Sequence, residues 1–289
     1  MIAFVFPGQG SQKRGMGERL FDEIMEYAAI EKEVDSLLGY SMRKLCLEDE
    51  QGRLKQTQYT QPSLYVVNAL HYYQARHQGF EPAYLAGHSL GEYNALLAAG
   101  AFDFLTGLRL IQKRGELMSQ AKNGAMAAVI GLSANTVAQV VRENGLSSID
   151  IANFNSPSQI VVSGPIDDIK RAGPFFEKAK ARVYIPLEVS AAFHSRYMIE
   201  SARAFADFLA PMSFATPKIP VISNVTALPY PLDRSSETIK SLLTEQITRS
   251  VQWAQSVRCL IAQGVTEFKE IGPGNALTKM IQLIQQEKD

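Results

Sequence analysis

The pentapeptide GHSLG at residues 87–91 restricts the fold of this chain strongly, because it places a serine between two glycines. The residues before it, YLA at 84–86, are typical of the end of a buried β-strand, and the Ala/Leu-rich residues 92–99 are typical of a helix. Ser89 is therefore predicted to lie on a strand-to-helix turn. In such a turn, small neighbours let a strained backbone hold the serine hydroxyl clear of the chain.

Strand-like and helix-like segments alternate along most of the chain. The segments considered are residues 2–6, 84–86, 220–227 and 266–271 as strands, and residues 20–38 and 64–75 as helices. Alternation of this kind implies a mostly parallel sheet covered by helices on both faces. The sequence therefore predicts an α/β fold.

The order of the predicted strands and helices changes after residue 122. Between residues 125 and 189 the predicted order is β-α-β-β-α-β, which is the ferredoxin-like pattern. We therefore predict a large catalytic α/β subdomain made of residues 1–122 and 191–289, with an inserted small subdomain made of residues 123–190.

Composition argues against several classes of protein. The chain has 29 acidic residues and 29 Lys plus Arg, and this formal net charge of zero argues against nucleic acid as the main ligand. Its two cysteines, Cys46 and Cys259, lie far apart and outside any CxxC pattern, so we expect neither a metal site nor a disulfide framework. We see no signal peptide and no apolar run of about 18 residues. We expect a cytoplasmic protein without a membrane partner, in which the glycosylation-like NVT at 224–226 has no meaning.

Ser89 is the candidate nucleophile, with helix capping as its structural alternative. A serine hydroxyl is a weak nucleophile at neutral pH and needs a base, which is most often histidine. Of the four histidines, His194 alone follows Ser89 in the chain, in the order that such turns require. Without that turn, His194 would be interpreted as a solvated loop residue. The acids nearest to it, Glu188 and Glu200, are not obviously placed to orient its ring, and a backbone carbonyl is the alternative.

Acyl transfer also requires donors for the oxyanion of its tetrahedral intermediate. The amide of Leu90 is one candidate, because it follows the nucleophile. Gln9, in the turn PGQG after the first strand, is a candidate for the second amide, although it is equally interpretable as a plain turn residue.

Arg114 lies in the amphipathic segment LRLIQKRGELM, directly before a glycine. Most arginines on such helices are solvated, and this is the default interpretation. In an acyl-transfer pocket, however, a guanidinium can hold a carboxylate through two parallel charge-assisted hydrogen bonds. That use predicts an acyl group that ends in a carboxylate.

Seven motifs occur in one order between Phe4 and about residue 281: FVFPGQGSQ, GHSLGEY, KRGELM, NFNSP, AAFHS, VQW and GPGNAL. With this set the chain resembles the malonyl-CoA:acyl-carrier-protein transacylases. The resemblance implies a hydrolase-like α/β domain with an inserted ferredoxin-like subdomain, and a two-step ping-pong reaction. It implies malonyl-CoA and an acyl carrier protein as partners and no cofactor, because the carrier brings the phosphopantetheine arm.

The resemblance also assigns roles to residues. Ser89 is implied to be the nucleophile and His194 the base, while Gln9 and Leu90 supply the oxyanion amides. Arg114 is implied to clamp the malonyl carboxylate.

Four further positions complete the implied site. The main-chain carbonyl of Gln246, seven residues before Trp253, is implied to orient the histidine. Asn153 is implied to line the pocket, and His88, beside the serine, is counted with the substrate-binding residues. Phe193, in the malonyl-type motif AFHS, is expected to crowd an α-methyl group.

Within the family, GYSMRKLCLED and TQYTQPSLYVVNALHYY resemble the discrete, trans-acting transferases of polyketide synthases. A transacylase of fatty-acid synthesis, an acyl hydrolase acting on carrier proteins and a non-catalytic homologue are the alternatives. The hydrolases lack the arginine, so Arg114 favours transfer. Basic side chains such as Lys113 and Lys180 are candidates for docking an acidic carrier, or form an ordinary solvated surface.

Overall fold

The computed structural model describes residues 1–231 and 235–287. The strands are β1 (Ile2–Phe6), β2 (Tyr84–Gly87), β3 (Gly124–Ile130), β4 (Asp150–Ser156), β5 (Gln159–Pro165), β6 (Val183–Pro186), β7 (Val221–Ile222) and β8 (Glu267–Glu270). The helices before β3 are α1 (Leu20–Glu23), α2 (Met25–Ala28), α3 (Glu31–Leu38), α4 (Met42–Leu47), α5 (Thr57–His77), α6 (Gly91–Ala98) and α7 (Phe104–Gln120). Those after it are α8 (Ala134–Glu143), α9 (Ile166–Lys178), α10 (Ile199–Leu209), α11 (Ser235–Gln246), α12 (Trp253–Ala262) and α13 (Ala276–Gln285).

The larger layer is built on a parallel sheet with the strand order β7-β2-β1-β8. Successive residues of β1 point to opposite faces: Phe4 and Phe6 pack into the cluster that contains α5, α6 and α7, and Ala3 and Val5 pack against α12 and α13. A strand buried on both faces needs apolar residues throughout, which explains the sequence IAFVF. The predicted α/β fold is confirmed.

The second sheet is antiparallel, with the order β4-β5-β3-β6. Ala127 and Val129 of β3 pack against α8 and α9, whereas Met126 and Ala128 point to the opposite face and join the core of the larger layer. This order and the intervening helices form the expected ferredoxin-like unit. The exact subdomain boundaries stay a prediction, and residues 232–234 and 288–289 of the predicted large subdomain lie outside the described residues.

The edge strand β4 of the antiparallel sheet is bonded to a segment outside both sheets. Phe154 of β4 donates its backbone N–H to the carbonyl of Val251 at 2.9 Å, and Val251 donates to the carbonyl of Ala152 at 2.9 Å. The Ser250 hydroxyl adds a bond to the carbonyl of Ile151 at 2.6 Å. This edge connects the antiparallel sheet to the segment between α11 and α12.

Two predicted elements differ from the structure. The helix expected over residues 20–38 is divided in two places: Ile24, buried and extended with ψ of 100°, separates α1 from α2, and Ile30, with φ of −120° and ψ of 2°, precedes α3. The strand expected over 220–227 is limited to β7, since the Ser223 carbonyl accepts the Ala227 N–H in a turn and Ala227 has a φ of +57°. In both places the backbone leaves the regular conformation although the apolar pattern is locally consistent with a longer element.

The turn between β2 and α6 packs closely against the end of β1. A Cβ atom added to Gly91 would lie 2.1 Å from the carbonyl oxygen of Phe6, and one added to Gly87 would lie 1.9 Å from the carbonyl carbon of Gly91. No side chain fits at either glycine unless the backbone moves. Both glycines of the G-x-S-x-G pattern are therefore required by packing.

We expect Gly91→Ala to lower the free energy of unfolding by about 1 to 3 kcal/mol or more, the range typical of overpacking. Its methyl group would collide with a backbone atom that cannot rotate away. Urea unfolding of both proteins measures the effect. Gly173→Ala in α9 is the control, because its methyl group would meet only the Tyr184 side chain, at 3.3 Å. Equal stability of the Gly91→Ala variant and the wild type would contradict the packing argument.

Candidate active site

Ser89 has a left-handed backbone conformation, with φ of +51°. A non-glycine residue in such a region usually stores about 1 to 3 kcal/mol of strain and is held by its surroundings. Here Asn224 holds the turn: its Oδ1 accepts the Ser89 backbone N–H at 2.7 Å, and its Nδ2 donates to the Gly87 carbonyl at 2.6 Å. The side chain of Ser89 does not cap α6, so the capping alternative is wrong.

The hydroxyl of Ser89 contacts the expected histidine. Ser89 Oγ and His194 Nε2 are 2.8 Å apart, and His194 Nδ1 lies 2.7 Å from the carbonyl oxygen of Gln246. A carbonyl oxygen can only accept, so the proton of the neutral ring is on Nδ1 and Nε2 is left free to accept from serine. Glu188 and Glu200 instead form exposed ion pairs with other residues.

His194 is neutral in this environment. Burial lowers the pKa of its imidazole to about 3, and the positive charge of Arg114 acts in the same direction. The hydrogen bond to Gln246 opposes these effects only in part. The ring can therefore accept a proton from Ser89 over the physiological pH range.

Arg114 is buried beside the same hydroxyl, with 1% of its surface exposed, so the solvated alternative is wrong. Its Nη2 donates to Ser89 Oγ at 3.1 Å and to Gln246 Oε1 at 2.9 Å, and its Nη1 donates to Gln61 Oε1 at 2.8 Å. The guanidinium carbon also lies 5.5 Å from the centre of the Tyr93 ring. Among the described residues no carboxylate lies within ion-pair distance of Arg114.

A cavity of about 460 Å³ opens over Ser89, between the two sheets. Every predicted site residue except Gln246 lines it: Gln9, His88, Ser89, Leu90, Arg114, Asn153, Phe193 and His194. Gln246 has no exposed surface and lies behind the wall, in contact with both His194 and Arg114.

The loop that carries Gln9 approaches the nucleophile turn closely, since a Cβ added to Gly8 would lie 2.4 Å from the His88 carbonyl oxygen. Gln9 and Leu90 thus lie on the wall around Ser89, as the oxyanion assignment needs. The assignment of their amides to an oxyanion stays a prediction.

His88 is held in the cavity wall by two contacts. Its Nε2 lies 2.8 Å from Asn155 Oδ1, and its ring centre lies 5.7 Å from that of Trp253. Burial lowers the pKa of His88, so the ring is neutral. A substrate-binding role for His88, which lines the cavity, stays a prediction.

Sequence reasoning missed a set of buried polar residues in and behind the cavity wall, of which Gln61 and Asn155 line the cavity. They are Gln61, Glu92, Asn155, Asn224 and Tyr230. A lone acid in the Ala/Leu-rich segment 92–99 was the one visible signal, because an unpaired carboxylate in a buried helix is unfavourable. Asn224, part of the glycosylation-like NVT, is buried against the nucleophile turn instead.

In residues 1–231 and 235–287, no group of three or more His, Cys, Asp or Glu side chains is arranged to hold a metal ion. In the same residues, no helix combines the length and the apolar character that crossing a membrane requires.

Comparison with known proteins agrees with this geometry. The family model described as an acyl transferase domain matches residues 3–288. A polyketide biosynthesis malonyl CoA-acyl carrier protein transacylase of Bacillus velezensis is 52% identical, over 100% of this chain and 98% of the relative.

Solved structures give the same result. The malonyl CoA-acyl carrier protein transacylase of Burkholderia pseudomallei superposes with a TM-score of 0.94 at 46% identity, covering 100% of this chain and 99% of that one. A malonyl-transacylase in complex with its type II polyketide synthase acyl-carrier protein gives 0.91 at 35% identity, covering 98% and 92% of the two chains. The chain therefore belongs to the acyl transferase family and, within it, to the malonyl CoA-acyl carrier protein transacylases.

Proposed function

We propose that this protein moves a malonyl group from malonyl-CoA to the phosphopantetheine thiol of an acyl carrier protein. The observation that carries the proposal is the double contact of the Ser89 hydroxyl, with a neutral histidine at 2.8 Å and a buried guanidinium at 3.1 Å. One neighbour removes the proton of the nucleophile, and the other attracts a carboxylate. The name of its relative supports a role in polyketide biosynthesis. Trans action and a cytoplasmic location are parts of the same proposal.

In the first half-reaction, Ser89 Oγ attacks the thioester carbonyl while His194 Nε2 accepts the hydroxyl proton. The amides of Gln9 and Leu90 donate to the oxyanion, and one such donor typically contributes about 2.7 to 4 kcal/mol of transition-state stabilisation. The tetrahedral intermediate then breaks its C–S bond. The CoA thiol leaves with the proton from His194, and a malonyl ester of Ser89 remains.

The second half-reaction runs the same chemistry with the carrier. His194 takes the proton of the phosphopantetheine thiol, and the sulfur attacks the ester carbonyl. The C–O bond to Ser89 breaks, and Ser89 recovers its proton from His194. The histidine is neutral at the start and at the end, which fits its lowered pKa.

Arg114 is proposed to hold the malonyl carboxylate through both half-reactions. The hydrogen-bond partners that the structure gives its guanidinium are neutral, namely Gln61, Ser89 and Gln246. A buried cation without a carboxylate partner favours an acyl group that supplies one. This feature also argues against an acyl hydrolase, which would use the same Ser–His pair with water as acceptor.

Ser89→Ala is expected to abolish acyl-enzyme formation. Intact-protein mass spectrometry after brief mixing with malonyl-CoA should show one malonyl adduct on the wild type and none on the variant. Addition of a phosphopantetheinylated carrier protein should then move the adduct to the carrier. An adduct that becomes free acid at the same rate without the carrier would identify a hydrolase instead.

Arg114→Ala is expected to reduce malonyl loading by about 10- to 150-fold, because a hydrogen bond to a charged group contributes about 1.5 to 3 kcal/mol. Acetyl loading should fall much less, since an acetyl group has no carboxylate. Competition between malonyl-CoA and acetyl-CoA measures both. Lys113→Ala is the control, as Lys113 pairs with Glu116 on the outer side of the same helix. Equal losses for the two acyl groups would disprove the clamp.

The neutral state of His194 predicts a pH dependence of stability. Its pKa is about 3 when folded and about 6.5 in an unfolded chain, so between these values only the unfolded chain binds the proton. The free energy of unfolding therefore decreases as the pH falls below about 6.5. From pH 7.5 to 5.5, urea unfolding should show the wild type losing about 1 kcal/mol more than His194→Ala. Identical losses would mean that folding does not lower the pKa of His194.

A further inference from the structure

We propose that Glu92 is a positioning residue for malonyl selectivity, because its buried carboxylate fixes the side-chain amide of Gln246 and thereby the place of Arg114 beside Ser89. This inference rests on the proposed malonyl transfer. It adds a residue that touches neither the cavity nor the reacting atoms.

Glu92 lies in the first turn of α6 and has no exposed surface. Its Oε1 accepts the Tyr230 hydroxyl at 2.5 Å, and its Oε2 accepts Gln246 Nε2 at 2.5 Å and the Asn224 backbone N–H at 3.3 Å. All three groups that contact the carboxylate are hydrogen-bond donors, which is the arrangement that a buried carboxylate needs. Burial still raises the pKa of Glu92 to about 7. An acid kept at this position against such a penalty has a role that an apolar residue would not fill.

The hydrogen bonds of the Gln246 side-chain amide indicate what that role is. Its Nε2 donates to Glu92 and, at 3.0 Å, to the carbonyl oxygen of Ser89, while its Oε1 accepts Arg114 Nη2 at 2.9 Å. A carboxylate and a carbonyl only accept, and a guanidinium only donates. Rotating the amide by half a turn would set its NH₂ group against the guanidinium. Glu92, together with the Ser89 carbonyl, thus favours the orientation in which Gln246 attracts Arg114.

Gln246 acts on the site in two separable ways. Its main-chain carbonyl accepts a hydrogen bond from Nδ1–H of His194, and its side-chain Oε1 accepts one from Arg114. Glu92 contacts the side-chain amide, so its loss should disturb the arginine more than the histidine. Malonyl transfer needs both groups, whereas acetyl transfer needs only the histidine. The ratio of malonyl to acetyl loading is therefore the quantity that Glu92 controls.

Two substitutions separate positioning from charge. Glu92→Gln removes the charge but keeps an acceptor, because its Oε1 can accept Gln246 Nε2 while its Nε2 donates to the Tyr230 hydroxyl. Glu92→Leu removes the charge and the acceptor together at similar volume. Removing the negative charge near Arg114 can itself increase malonyl loading. Both variants lose this charge, so the effect is common to them. The difference between them measures the acceptor alone.

The experiment is competitive loading from equimolar malonyl-CoA and acetyl-CoA, read by intact-protein mass spectrometry. We expect the malonyl-to-acetyl ratio of Glu92→Leu to lie about three- to tenfold below that of Glu92→Gln, the effect of one hydrogen bond. Equal ratios in the two variants would overturn the inference. If Glu92→Leu does not fold, Glu92→Asp replaces it and is compared with the wild type, because both keep the charge and only the reach of the acceptor differs. Its malonyl-to-acetyl ratio should lie below that of the wild type, and equal ratios would overturn the inference.

Tyr230→Phe is the matched control. It removes the other donor to the same carboxylate and leaves the contact with Gln246 in place, so it should reduce stability without changing the ratio. A ratio that falls equally in Tyr230→Phe would show a general structural role for Glu92. Measurements on the wild type test the proposed function separately. If the wild-type enzyme does not load malonyl in preference to acetyl, or does not pass it to the carrier, malonyl transfer itself is refuted.

Discussion

The hydrogen bond between His194 and the main-chain carbonyl of Gln246 is the contact on which the site depends. A carboxylate in this place would orient the ring and also favour its charged form, whereas a carbonyl orients the ring and contributes only a partial charge. Burial and the neighbouring Arg114 outweigh this small effect and keep the imidazole neutral. The proposed cationic clamp and the proposed histidine base can then share one small cavity without two positive charges at rest.

A second constraint is the backbone of the nucleophile turn. Ser89 and His194 both have positive φ, at +51° and +57°, so both side chains of the proposed nucleophile–base pair are presented from strained positions. Asn224 stabilises the strained backbone of Ser89 through two hydrogen bonds. The close packing of Gly87 and Gly91 fixes the same turn. The parallel sheet supplies the rigid base for this turn, because β2 is paired on both of its edges.

Sequence alone predicted the fold class, the ferredoxin-like insertion and the family, and it named Ser89, His194, Arg114 and Gln246, which the structure brings into contact. The local pattern around Ser89 indicates its chemistry, whereas Gln246 lies outside the motifs and was named only through the family resemblance. Glu92 was missed, because its partners are 132 to 154 residues away and no local rule predicts them. The break of the helix at residue 24 was missed for the same kind of reason, since only tertiary packing explains a buried isoleucine in an extended conformation there.

The contacts that fix the cavity wall differ from one side to the other. On one side, two backbone hydrogen bonds and the Ser250 hydroxyl join β4 to residues 250 and 251. Elsewhere at the cavity, Glu188 reaches from the segment after β6 to Lys55, an exposed pair at 3.4 Å of the kind that contributes little. Loss of this ion pair should therefore disturb the cavity wall much less than loss of the hydrogen bonds along β4.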